Sequence, residues 1–480
     1  MIAFHKRCLM IRHFAKRWVY VSLFAVAAWT QTSNSQTTHD NDDSGEKPAL
    51  AAIGTSPSYP GLPRGAQSRK LETEIGPTKL RFYGTILFNS SISTASAIGQ
   101  EVPLWAANNG GAVAYPDGSV GRAGNNHDLV FTMRQSILGF TLNPAKPSET
   151  GWNPSALFEM DFFGSRTADT FSPENRVFNQ PRVRLGYFQL EHSGLKFVFG
   201  QDKMILAPLD PISLSHVGVP LGATAGDLWG WFPQARMDWS SKMKKVGLLV
   251  QLGVLRPQFG DTRLEAAPAS GSVIDLASSG LGERSSQPFY QGRIAISPPL
   301  RKNSATFGIS GHFGEEVVGV NHTLQSWAMA VDMRLPLDPH FILRGEGFAG
   351  SNLIPFQGGI FQGAAALGTL PNLARIRRIG DGGGWLEAIV PMNSGKDTLY
   401  FGAGRDDPKN RTLLPGTTRA QNSFLWASYF RKITNEVTAA FEWSYWDFRT
   451  ITFVNNDPTR EAKGPTGTAN VFNISLAYQF

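Results

Sequence analysis

The sequence predicts an all-β fold, a transmembrane antiparallel barrel of about sixteen strands. Three observations predict it: segments of about ten residues with alternating character, connections that sort into a short and a long class, and a composition low in charge. Charged residues make up 17% and aromatics 11%, with 50 glycines, which suits a chain of strands and turns.

The alternation is clearest in the last segment. Phe472, Ile474, Leu476, Tyr478 and Phe480 point one way, while Val471, Asn473, Ser475, Ala477 and Gln479 point the other. One apolar face and one mostly small or polar face is what a strand needs between lipid and water. A soluble sandwich strand would read the same, so a single segment decides nothing. The number of segments does. Strands read near 79–91, 128–142, 153–164, 180–190, 194–202, 233–240, 244–256, 286–297, 304–314, 324–335, 339–349, 383–391, 396–405, 420–431, 435–449 and 468–480. The total is even, as in bacterial single-chain barrels.

The connections add independent weight. Those after even strands are short (191–193, 241–243, 336–338, 392–395, 432–434), and those after odd strands are long (92–127, 203–232, 257–285, 350–382, 451–467). Long structureless loops are uncommon in compact soluble domains, and sorting them to one side matches short periplasmic turns and long outer loops. Hydrocarbon offers no water to backbone groups, so such a sheet must close, with the terminal strand meeting the first around 82–88. Trp239, Trp327, Trp443, Tyr445 and Phe480 fall near strand ends and would form interfacial girdles or serve as plain packing residues.

Ahead of the strands, residues 1–28 read as a signal peptide: Lys6, Arg7, Arg12, Lys16 and Arg17 precede an apolar run over 18–28. Removing those five basic residues takes the formal charge from +7 to +2, so the basicity gives no reason to expect a nucleic-acid partner. Residues 29–78 are polar and rich in Pro, Gly and Ser, and are expected to form a flexible periplasmic lead. Residues 79–480 form the barrel. The one cysteine, Cys8, lies in the signal, so the mature chain would have neither a disulfide nor a thiolate nucleophile.

Four segments carry a resemblance to a known family: 134–140 (RQSILGF), 158–164 (FEMDFFG), 200–203 before the long third loop, and 232–239 (FPQARMDW). With the terminal strand, residues 79–480 resemble the outer-membrane porins, most nearly the trimeric DcaP-like branch. The resemblance implies a homotrimer in the bacterial outer membrane, among outer-membrane lipid and lipopolysaccharide, passing small hydrophilic solutes and ions. Relatives carry a periplasmic coiled coil, whereas the lead here has no heptads.

The strand registers place Arg134, Arg182, Arg184, Arg236, Arg293, Arg334 and Arg344 on the lumen face, with Glu159 and Asp161 among the inward carboxylates. Arginines lining a narrow pore favour anions, while arginines paired with carboxylates merely keep the wall polar. The third outer loop, about 203–232, has Asp202 at its foot and Asp210, His216 and Asp227 within. By resemblance to porins it would fold inward as a constriction, with Asp210 and Asp227 facing the arginines across an eyelet.

Enzyme motifs weaken on inspection. Residues 345–350 (GEGFAG) fit G-x-G-x-x-G but lie on a strand with no helix to follow. No histidine has zinc-site spacing, and Ser310 and His312, two apart on one face, project about 7 Å apart. No cofactor, metal or catalysis is expected. The leading expectation is a passive diffusion pore with a weak preference for anions. The alternative is a barrel with a plugged lumen acting as adhesin or receptor.

Overall fold

The computed structural model describes residues 71–99, 101–146, 148–164, 180–259, 280–319, 322–369 and 372–480. The expected signal, most of the lead and parts of the second and fourth outer loops lie outside them. The sixteen expected strands are present. They are β1 (Thr78–Ser93), β2 in two halves (Asp128–Thr132 and Ile137–Pro144), β3 (Asn153–Gly164), β4 (Gln180–His192), β5 (Leu195–Lys203) and β6 (Trp231–Met243). β7 (Val246–Leu255), β8 (Phe289–Ser297), β9 (Thr306–Gly319), β10 (His322–Asp338) and β11 (Phe341–Ser351) follow. β12 (Gly380–Met392), β13 (Asp397–Asp406), β14 (Arg419–Lys432), β15 (Val437–Phe453) and β16 (Glu461–Gln479) complete the series. Each pairs antiparallel with the next, and β16 returns to β1 with Gln479 opposite Thr85 and Val471 opposite Ser93. Beyond the ladder, the Gly84 N–H donates to the Phe480 carbonyl at 3.1 Å and the Phe480 N–H to Gly84 at 3.2 Å. The barrel is closed and leaves no edge.

No helix among the described residues is long and apolar enough to cross a membrane; the strands do so instead. In β16 the alternation reads directly as exposure, with Phe472, Ile474, Leu476 and Tyr478 exposed and Val471, Asn473, Ser475, Ala477 and Gln479 buried. Exposed Ile86 and Phe88 on β1, Leu252 on β7, Ile309 on β9, Val331 on β10 and Leu425 on β14 continue the belt around the wall. A continuous apolar band on a closed sheet is the lipid-facing surface of a multi-pass outer-membrane barrel.

Two expectations are corrected and a third is qualified. The lead is not unstructured to residue 78: Leu71–Ile75 folds back on the start of β1 across a turn at Gly76 and Pro77, placing Leu71 opposite Phe82. Not every connection after an odd strand is long. β9 and β10 are joined by residues 320–321 and β15 and β16 by 454–460, because these strands run on above the membrane, where no lipid demands an apolar face and the alternation lapses. Finally, the inward face is mostly small or polar as expected, but it also carries a patch of large aromatics. Trp385, Phe424, Trp426, Trp446 and Phe448 on β12, β14 and β15 are all buried toward the lumen, and the Phe424 ring stacks on Trp426 at 4.7 Å and on Trp446 at 5.0 Å.

Candidate functional site

What occupies the bore is the loop between β5 and β6, residues 204–230. It is almost wholly buried: only Pro208, Leu209, Val219 and Gly230 are partly accessible. Its apolar residues join those of the wall in three clusters. Met204, Leu206 and Leu228 pack with Phe289, Phe348 and Phe356; Leu221 and Ala225 with Trp385 and Trp446; Ile212, Leu214 and Val217 with Leu87, Ile389 and Phe430.

A buried loop must satisfy its backbone, and here the wall does so with side chains. Gln291 of β8 accepts the Ile205 and Leu206 N–H groups at 2.8 and 3.0 Å, and Ser310 of β9 accepts Ala207 at 3.3 Å. Glu346 of β11 takes Leu209 at 2.6 Å and Glu387 of β12 takes Ile212 at 2.9 Å. Glu442 of β15 takes the Leu214 and Ser215 N–H groups at 2.9 and 2.7 Å, with the Ser213 hydroxyl at 2.7 Å. Gln135 takes Val217 and Gly218, each at 2.8 Å, from the break between the halves of β2, an irregularity that aims its amide at the loop. The loop carbonyls are met in turn. Arg344 donates to Asp210 at 2.8 Å, Arg184 to Val217 at 3.0 Å and Arg182 to Gly218 at 2.6 Å. The loop thus follows the inner wall from β8 through β15 to β2 and β4.

The return half is held sterically and by its neighbours. Gly226 has φ +111°, and a Cβ there would lie 2.2 Å from the Gly384 carbonyl, so only glycine lets the loop approach β12 this closely. The Asn422 side chain donates to the Thr224 carbonyl at 3.0 Å, and Thr224 Oγ1 donates to the Leu104 carbonyl of the first outer loop at 2.8 Å. The Trp229 N–H donates to Phe356, on an inward turn of the loop between β11 and β12. Three outer loops meet in the bore.

The expected arginines sit as follows. Arg182 grips Asp161 with two bonds of 3.1 and 2.6 Å, and Arg184, 1% exposed, reaches Glu159 at 2.9 Å and Asp161 at 3.5 Å. Arg236 lies between Asp202 at 2.9 Å and Asp238 at 3.0 Å; Arg293 forks onto Asp332 at 2.9 and 2.7 Å; Arg344 is 3.6 Å from Glu387. Arg134 pairs with Glu101 and stands 3.9 Å over the Phe163 ring. Arg334 is exposed and has no ion pair among the described residues. Six of the seven guanidiniums are therefore balanced by carboxylates.

The loop acids do not face arginines across an open eyelet. Asp202 belongs to Arg236, and Asp210 receives Lys203 Nζ at 2.5 Å. Asp227 is 1% exposed, and neither carboxylate oxygen has a hydrogen-bond partner. Burial first, and then the charge of Asp210, push its carboxyl well above the usual range, while Lys203 and Arg344 pull the other way. His216 is buried with Nδ1 2.8 Å from Ser215 Oγ, and burial lowers its pKa to about 3. Ser310 and His312 form no dyad: Ser310 caps the loop, while His312 lies 3.1 Å from Ser326 Oγ between the rings of Phe289 and Phe356. Among the described residues no group of His, Cys, Asp and Glu could hold a metal ion.

Sequence reasoning missed the part that Gln135, Lys203, Gln291, Glu346, Glu387 and Glu442 play in holding the loop. Register alone would have put Glu387 inward beside Trp385. Nothing in the sequence marks Gln135, whose aim depends on the break in β2.

A closed sixteen-stranded wall with a lipid-facing belt and an inward third loop is a porin-like architecture. No family model and no curated protein matches the chain. Solved structures do. The outer membrane channel DcaP of Acinetobacter baumannii aligns over 85% of this chain and 99% of its own, at TM-score 0.57 and 11% identity. The anion-selective porin from Comamonas acidovorans aligns over 84% of this chain and 100% of its own, at TM-score 0.48 and 10% identity. Salmonella typhi OmpF, in complex with daunomycin, aligns over 85% and 100% at TM-score 0.47 and 10% identity. The chain thus has the fold of outer-membrane porins, at an identity where likeness speaks for the fold alone.

Proposed function

We propose that this protein is an outer-membrane channel for passive diffusion of small hydrophilic solutes and ions, closed in the present conformation by its 204–230 loop. One observation carries the reading: the bore is filled by a loop attached through polar side chains, whose hydrogen bonds water can replace. Sixteen strands enclose enough width for an aqueous channel once the loop is displaced. Catalysis has no support, because the Ser310 and His312 side chains are engaged separately and buried. We propose a homotrimer in contact with lipopolysaccharide, on family resemblance. A weak anion preference would rest on Arg334, since the other six arginines face carboxylates.

The test is conductance in planar bilayers for the full chain and for a chain lacking 208–225. The expected result is a small conductance that rises severalfold on deletion, with reversal in a salt gradient reporting a slight preference for anions. A second reading, a barrel serving as adhesin or receptor, is favoured by the apolar clusters that seal the bore. It predicts no conductance from either chain.

A further inference from the structure

We propose that the 204–230 loop is a proton-operated gate, held shut while Asp227 is neutral and released when its carboxyl ionises. The inference rests on the channel reading above. Its basis is an imbalance of buried charge at the turn of the loop. Asp227 is faced by Asp210 and Lys203 from the start of the loop and by Glu346 and Arg344 from β11. Lys203 is taken by Asp210 at 2.5 Å and Arg344 lies 3.6 Å from Glu387, so both cations already have a carboxylate. From β12 and β13, against which Gly226 packs, the inward charges are Glu387, Asp381 and Asp406, again all acidic. Asp227 remains with both oxygens unpartnered and 1% exposed, and Glu346 keeps one unpartnered oxygen beside it. A carboxylate so placed would be an unpaired buried charge, and such a group takes up a proton instead.

The sign follows from linkage. Asp227 has a raised pKa in the closed loop and an ordinary one, about 3.9, once hydrated, so it stabilises closure at low pH and the effect is lost as pH rises through the raised value. His216 acts in the opposite sense. Its facing groups are Glu442, through Ser213, and Arg182 and Arg184 on the adjoining residues. Held neutral with a pKa of about 3, it favours closure above about pH 6.5, its hydrated value, and less as pH falls toward 3. Between about pH 4 and 6.5 the two effects oppose. Above that range His216 is neutral in both states and no longer opposes Asp227.

Single-channel recording from pH 5 to 9, on the full chain, Asp227→Asn, His216→Asn and the chain lacking 208–225, tests the gate. Open probability of the full chain is expected to be nearly flat below about pH 6.5 and to rise by up to about tenfold per unit above it, for one proton released. Asp227→Asn loses the rise above about pH 6.5 and opens only as pH falls below it, where His216 then acts unopposed, and His216→Asn extends the slope below 6.5. A flat profile in the full chain, alongside a conducting loop deletion, overturns the gate and leaves the channel. A rise in open probability above about pH 6.5 retained in Asp227→Asn overturns the assignment. Absence of conductance in the loop deletion at all pH values removes the channel and the gate together. The wild-type profile decides the question even if a variant does not assemble.

Discussion

Truncating Glu442 tests whether wall side chains hold the loop through its backbone. In Glu442→Ala the Leu214 and Ser215 N–H groups lose acceptors now at 2.9 and 2.7 Å, and the hydroxyls of Ser213 and Ser428 lose contacts of 2.7 and 3.2 Å. A buried donor left unsatisfied costs about 1–3 kcal/mol, so the two backbone groups alone weaken the closed loop by about 2–6 kcal/mol. At about 1.4 kcal/mol per decade, the ratio of closed to open falls between about thirtyfold and about twenty-thousandfold. Glu442→Gln is the control. Its amide oxygen still accepts both N–H groups, while its NH₂ donates to the two hydroxyls, so conductance is expected to remain near wild type. Both variants are read in planar bilayers after a heat-modifiability gel has shown a closed barrel. Equal conductance of the Ala and Gln variants, both folded, would refute the claim that Glu442 holds the loop.

Two further predictions concern the barrel itself. Arg184→Met strands Glu159 without its cation in a buried site and leaves Asp161 to Arg182 alone, and is expected to lower stability by about 3–5 kcal/mol in a urea titration of the refolded protein. Arg301→Met, which breaks an exposed 3.8 Å pair with Asp338, should leave the midpoint unchanged; equal shifts would count against burial as the cause. Gly84→Val places a Cβ 2.6 Å from the Phe480 ring and 2.7 Å from the Ile137 carbonyl, at the seam. Its closed form should melt at lower temperature on a gel-shift assay, and an unchanged melting profile would show that the seam yields to the extra methyl groups.

What the sequence by itself determined is the wall. Lipid on one side imposes a two-residue period on every crossing, so Ile474, Leu476 and their counterparts declare strand, face and order without reference to any neighbour. The same rule set the seam at Phe480 and the inward direction of Arg182, Arg184, Arg236 and Arg293. Where lipid ends, so does the rule, which is why the outer reach of β9 and β15 was underestimated. The bore was decided only by tertiary structure. The partners of loop 204–230 lie on β2, β4, β8, β9, β11, β12 and β15, between 36 and 228 residues away in sequence. No local period connects Asp227 with Glu346, or Glu442 with the Leu214 backbone. Closure of the barrel brings them together, and their burial inside it makes each of those contacts matter.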